Sequence, residues 1–274
     1  MLRLLKVGHC YHPEAMVMKG HSWRSMQFPA IVGLINHPQQ GYILFDTGYA
    51  KRFLEATNPF PERFYRWLTP IHLCDKENLV TQLAQLNIAV EDIAAIFISH
   101  FHADHISGLL DYPNAKFICS KNALIEFTRL GRIKGLIKGF LPALLPSDFT
   151  KRCSFIEDMK RVFITHKYNP FDMGYDIFND GSFLAVALPG HAAGQFGLLL
   201  ECNGKSYFLI GDASWTREAY QNGARPNIFT YAIMDNGKQY LETLDKLSTL
   251  FLTQRELHII PSHCQLSFDK FHHE

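Results

Sequence analysis

The densest chemical signal in the sequence is the run His100-Phe101-His102-Ala103-Asp104-His105, which sets three imidazoles and a carboxylate into six consecutive positions behind an apolar stretch. A lone histidine in such a place is ordinarily a packed or hydrogen-bonded core residue. Four ligand-type side chains together are a demanding coincidence on that reading. Further along, His191 follows "FLAVALPG", Asp212 follows "YFLIG" and His263 follows "LHIIPS", each at or just beyond the end of an apolar run. Strand ends of a layered α/β domain open onto a common crevice, so residues emitted there converge from distant parts of a chain. The chemistry this predicts is metal coordination.

Spacing divides the set. His100 and His102 are two apart, which in extended backbone sends both side chains to one side, whereas Asp104 and His105 require a turn. One ion is then offered His100, His102 and His191, and a second Asp104, His105 and His263, with Asp212 able to bridge through its two oxygens. Asp104 and Asp212 are the candidate catalytic carboxylates. Imidazole and carboxylate without thiolate suit two divalent ions per chain, zinc first, with iron, manganese or cobalt as alternatives. Cys264 beside His263 reads as a packed thiol.

The elements that must position these residues are legible in outline. "LRLLKV", "FPAIVGLI" and "YILFDTG" read as strands, and 76–87 places Leu79, Leu83 and Leu86 at helical spacing ahead of a short buried strand, "AAIFIS". "AKFICS" is a further strand, followed by a helix over 121–131 whose Gly131 is expected to cap its C-terminus. Residues 131–149 mix Gly, Pro, Lys and large apolar groups and fit neither helix nor strand. They mark an insertion, placed at about 128–175, in which Leu136, Ile137, Phe140, Leu141, Leu144 and Leu145 are expected to form a lid over an apolar substrate or a homodimer contact. Strands resume with "SFLAVALPG", "QFGLLLE" and "SYFLIGD", then a helix near 238–252 and the strand "LHII".

"HFHADH" with His191, Asp212 and His263 resembles the metallo-β-lactamase superfamily, and "ILFDTG" (Asp46, Thr47, Gly48) resembles its early strand-and-turn motif. The resemblance spans nearly the whole chain. It implies an α/β fold, an αββα four-layer sandwich of two mixed β-sheets flanked by helices in one domain over 1–274, with a dinuclear metal centre. It also implies a hydrolase in which a hydroxide bridging two cations attacks a carbonyl or phosphoryl centre. Asp46 would orient part of that site, the competing reading being a turn residue bonded to its own backbone. "LPGHAAGQFGLLL" and "GDASWT" look most like the N-acyl-homoserine lactonase branch, which implies a lactone or carboxylic ester with an apolar acyl portion. Trp215 stands where that branch has a Tyr, and an indole cannot give a proton to a leaving alkoxide at neutral pH. Its expected role is packing, against an acyl chain or in the core. A glyoxalase II-like thioesterase and a phosphodiesterase or nuclease of the same superfamily are the alternatives.

Composition narrows the partners. Among 274 residues, 27 Lys plus Arg oppose 26 Asp plus Glu, so no global field draws the chain to nucleic acid or an anionic membrane. A small-molecule substrate is expected. The strip Arg129, Arg132, Lys134 and Lys138 reads as a solvated face, or else a phosphate contact. Trp23, Met26, Phe28, Phe60, Phe64 and Trp67 read as core, or as a greasy pocket wall. Six scattered cysteines without a regular framework, and a short apolar N-terminus, suit a cytoplasmic protein.

Overall fold

In a computed structural model, which describes residues 1–272, thirteen strands assemble into two sheets. In chain order they are β1 (Leu2–Pro13), β2 (Ser25–His37), β3 (Gly41–Phe45), β4 (Ile71–His72), β5 (Ile93–Phe97), β6 (Lys116–Cys119), β7 (Cys153–Phe155), β8 (Lys160–Phe163), β9 (Met173–Asp176), β10 (Phe183–Ala187), β11 (Phe196–Cys202), β12 (Lys205–Gly211) and β13 (His258–Pro261). The seven-stranded sheet runs β4-β1-β2-β3-β5-β6-β7 and the six-stranded sheet β13-β12-β11-β10-β9-β8. Both are mixed: β3, β5, β6 and β7 pair in parallel beside the antiparallel β1–β2–β3 meander, and β13 pairs in parallel with β12 beside an antiparallel remainder.

The apolar runs explain the layering. Along β3, Ile43 and Phe45 point between the sheets while Leu44 points to the outer layer. Along β12, Tyr207 and Leu209 face inward, whereas Phe208 and Ile210 meet the other outer layer. Strands buried on both faces read as continuous apolar runs rather than alternations, which is how these segments appear in the sequence. The inner core joins Leu4, Ile31, Phe45 and Phe97 of the first sheet to Ala185, Leu198, Leu209 and Ile260 of the second. Helices cover the outside. Leu79–Gln85 and Lys121–Arg129 pack Leu83 and Phe127 on the first sheet, and Gly237–Thr253 packs Leu247 and Leu250 on the second. Each fully buried leucine there contributes on the order of 2 kcal/mol over an exposed one. The result is the αββα sandwich.

Several local expectations need correction. The helix read over 76–87 begins at Leu79, because the Asn78 side chain accepts from Val80 N and stops it there. Gly131 does not cap the preceding helix in a left-handed conformation. Its φ is −67°, and it is the N-cap of a further helix, Arg132–Ile137. The stretch 128–175 is not one added element: it supplies the edge strands β7 and β8, one to each sheet, and most of β9 beside β8. Within it Phe140, Leu141 and Leu144 are core residues of the outer layer, while Ile137 is exposed. Trp23, Met26, Phe60, Phe64 and Trp67 are exposed, not core, and only Phe28 of that group is buried. The basic strip, by contrast, is a solvated face as expected: Arg129, Arg132 and Lys134 are exposed, with Arg132 paired to Glu62 at the surface and Lys138 donating to the Met234 carbonyl. All six cysteines are free. Among the described residues no helix is long and apolar enough to cross a membrane.

Candidate metal centre

The seven residues singled out in the sequence meet at one end of the sandwich. His100 and His102 lie just past β5, and Asp104 and His105 sit on the one-turn helix Ala103–Ile106 that the chain forms next. His191, Asp212 and His263 lie past β10, β12 and β13. Strands β10 and β12 both run antiparallel to β11, and β13 runs parallel to β12, so these three ends open on the same side.

Three groups place one ligand atom per residue within 4.8 Å of each other: His100, His102 and His191; Asp104, His105 and His263; and His100, His105 and Asp212. Asp212 lies between the first two. Its Oδ2 is 3.3 Å from His191 Nε2 and 3.2 Å from His263 Nε2, and its Oδ1 is 3.4 Å from His105 Nε2. Asp104 Oδ2 is 3.2 Å from His263 Nε2 and 3.5 Å from His105 Nε2.

Hydrogen bonds at the far side of the rings decide which lone pairs point inward. Ser99 Oγ donates to Asp46 Oδ2 at 2.8 Å, so toward His100 Nδ1, 3.0 Å away, it can only accept. That makes Nδ1 the protonated nitrogen and leaves His100 Nε2 a bare lone pair. His105 Nδ1–H donates to Asp46 Oδ2 at 2.7 Å and His263 Nδ1–H to the Pro29 carbonyl at 2.7 Å, with the same consequence for their Nε2 atoms. Asp46 therefore orients the cluster rather than its own turn: its two oxygens take Ser99 N, Ser99 Oγ and His105 Nδ1. It does so from a left-handed φ of 61°, a conformation that Asp tolerates better than most side chains.

These atoms fit a cation. His100 Nε2, His105 Nε2 and Asp212 Oδ1 are buried without a hydrogen-bond partner among the described residues, where buried polar groups almost always have one. His191 Nε2 and His102 Nδ1 stand 3.0 Å apart, a separation that needs a proton or a cation to hold two nitrogen lone pairs together. Burial pushes His102 down to about 4, His191 down to about 3 and His100 well below the usual imidazole range, so all three are neutral donors at neutral pH. Burial acts the same way on His105 and His263, but the surrounding carboxylates outweigh it and raise both. Burial would raise Asp104 and Asp212, yet His105 and His263 outweigh it and hold both carboxyls below their usual range. The carboxylates thus demand positive charge in a buried space. Protons on His105 and His263 answer that demand, and a divalent ion on the same nitrogens answers it as well.

Residues outside the seven also build the site. Trp215 Nε1 donates to Asp212 Oδ2 at 3.0 Å, and its ring meets that of His191 edge-on at 5.4 Å. The indole is thus a donor to the cluster, beyond the packing role expected of it. Gly139, at φ +72°, lies so close that an added Cβ would stand 2.9 Å from His102 Cδ2, and its carbonyl accepts from Ala103 N at 3.0 Å. Tyr65 is raised well above the usual phenol range by burial and then by Asp104, which keeps it protonated beside the carboxylates. Cys264 is buried, and its Sγ accepts from Arg217 N, as a packed thiol would.

The comparisons with known proteins bear on this geometry. The profile of the metallo-beta-lactamase superfamily matches residues 27–250. The chain belongs to that superfamily. It is a metal-dependent hydrolase, and its histidine and aspartate groups point to a divalent metal centre. The N-acyl homoserine lactonase AttM of Rhizobium radiobacter is 25% identical over 211 residues, which cover 76% of this chain and 73% of that one. A solved N-acyl homoserine lactone hydrolase, with N-hexanoyl-L-homoserine bound at its catalytic metal centre, superimposes with a TM-score of 0.72 at 18% identity, over 98% of this chain and 95% of the other. AidC, a dizinc quorum-quenching lactonase, gives 0.65 at 16% identity, over 96% of this chain and 87% of its own.

Trp215 offers an early test in this superfamily member. Trp215→Phe keeps an aromatic ring against His191 but removes the donor to Asp212. Groups that hold a metal-binding carboxylate in place typically govern about 10- to 100-fold in affinity or activity. A loss of that size in kcat/KM, accompanied by weaker metal retention on dialysis, is the expected result. Wild-type behaviour on both counts would show that the indole only packs.

Proposed function

We propose that the protein hydrolyses a lactone or related carboxylic ester with an apolar acyl portion. The observation that carries this is the set of seven converging side chains, with imidazole lone pairs turned inward by Asp46, Ser99 and the Pro29 carbonyl. His100, His102 and His191 would hold one divalent ion and Asp104, His105 and His263 a second, with Asp212 shared between them. Zinc is the first choice for a nitrogen and oxygen donor set of this kind. Such ions supply Lewis acidity and lower the pKa of coordinated water far enough for nucleophilic attack near neutral pH.

The chain's own groups do the rest. Asp212 is fixed by the Trp215 indole. Asp104, whose side chain is 12% exposed against 5% for Asp212, is the carboxylate better placed to take a proton from the attacking water and pass it to the leaving oxygen. No Ser or Cys nucleophile is needed. The likeness to lactonases supports the lactone over other acyl compounds, and a small-molecule substrate fits a chain of nearly balanced charge.

The test is a substrate panel on protein loaded with zinc, manganese or cobalt: acyl-homoserine lactones of short and long chain, an aryl ester, a glutathione thioester and an aryl phosphodiester. The highest kcat/KM is expected on a lactone. A clear preference for the thioester or the phosphodiester would overturn the substrate class while leaving the metal centre standing.

A further inference from the structure

A second group of metal-type ligands lies at the β4 edge of the seven-stranded sheet. His72 ends β4, and the chain then turns, Glu77 N donating to the Cys74 carbonyl at 3.0 Å, before the helix that starts at Leu79. The turn folds Cys74 and Glu77 back on His72, so that one ligand atom from each lies within 4.8 Å of the other two. Bond lengths of about 2.0 Å to nitrogen or oxygen and about 2.3 Å to sulfur put tetrahedral ligands roughly 3.3–3.8 Å apart, so the three need close in by only about 1 Å. His72 and Cys74 are exposed and free to make that movement.

Beyond this spacing, two buried atoms have no partner among the described residues: Oε2 of Glu77 itself and, outside the group, Nδ1 of His9, whose Nε2 is 3.1 Å from the Tyr11 hydroxyl. Only 5% of His9 is exposed. It is the direct ladder partner of His72 across the antiparallel β1–β4 pair, so the two side chains leave the same face, with ring centroids 5.1 Å apart. Burial, and then Lys6, lower the His9 pKa and favour the neutral ring. The other Glu77 oxygen reaches Lys6 Nζ only at 3.9 Å, a long and partly exposed pair that does not account for the orphaned one.

We infer that His72, Cys74 and Glu77, backed by His9, form a separate site for one borderline divalent cation of the zinc or cobalt type. Its donor set differs in kind from that of the principal cluster, because a thiolate joins imidazole and carboxylate and favours a softer ion. A cation there would fasten the two-residue strand β4 and its turn to β1, where the chain otherwise offers few ladder bonds.

Cobalt(II) titration of the full chain under reducing conditions tests this. Sulfur-to-cobalt charge transfer absorbs in the near ultraviolet, whereas nitrogen and oxygen ligands alone produce no such band. The wild type is expected to develop that band and to bind one more cobalt per chain than Cys74→Ser, in which the band is lost. His72→Ala should weaken the band-forming step at least tenfold, and Cys74→Ser should hydrolyse the best panel substrate at the wild-type rate. Absence of the band in the wild type would overturn the site. So would a band that survives in Cys74→Ser, which would assign the thiolate to another cysteine, such as Cys264 beside His263, instead.

Discussion

Asp212→Asn is expected to lower kcat/KM at least about a hundredfold, beyond the usual cost of losing a supporting contact, and to reduce bound metal, while leaving the far-UV circular dichroism unchanged. The amide matches the carboxylate in size, so packing is kept. Its hydrogen-bonding capacity is not. At the Oδ2 position three groups converge, Trp215 Nε1 at 3.0 Å, His263 Nε2 at 3.2 Å and His191 Nε2 at 3.3 Å. The indole N–H can only donate, so the amide must turn its oxygen there and its NH2 toward His105 Nε2. That NH2 would cap a lone pair proposed to bind metal, and the shared negative charge would be gone as well. Activity and metal content together form the readout. Full activity in this variant would remove Asp212 from its assigned role.

Asp46→Asn is expected to lower metal affinity about 10- to 100-fold without unfolding the chain. Asn tolerates the left-handed φ of 61°, and one acceptor oxygen can still serve Ser99 N. The damage falls on Oδ2, where an amide NH2 would face both Ser99 Oγ and His105 Nδ1. His105 can accommodate that donor only by moving its proton to Nε2, the nitrogen turned toward Asp104 and Asp212. The ring keeps its place and loses its lone pair. Competition with a metal indicator measures the change, and an unchanged affinity would mean that Asp46 supports the turn and not the tautomer.

Seven side chains and four strand ends were legible in the sequence because each obeys a local rule: a long apolar run, then a ligand-type residue where the strand must stop. The lone pairs were not legible. Their direction depends on Ser99, an ordinary serine at a strand end, and on the Pro29 carbonyl, which has no side-chain signature and lies 234 positions from His263. Trp215 was visible as a departure from the lactonase pattern, but its N–H finds Asp212 only through the turn between them. The same contrast holds for the fold. Strands β3, β5, β6, β10, β11, β12 and β13 are apolar on both faces and stand out, whereas β4, β7 and β8 at sheet edges, and β9 next to one, are short strands of two to four residues with many polar or partly exposed side chains. Their pairing is dictated by neighbours distant in sequence rather than by their own pattern. Gly131 is ambiguous in sequence because glycine serves either end of a helix, and only the following Arg132–Ile137 turn decides which.

His100, His102, Asp104 and His105 come from the first sheet, while His191, Asp212 and His263 come from the second. Backbone bonds already stitch the sheets at this end, from Phe196 N to the Ser99 carbonyl at 3.0 Å and from Ile31 N to the Ser262 carbonyl at 2.9 Å. Ions held by residues of both layers would act there as a rivet as well as a reagent, so that chemistry and mechanical cohesion share one set of bonds. A chain stripped of its ions should then loosen first at its working end, exchanging amide hydrogens along that seam while the opposite end of the sandwich stays closed.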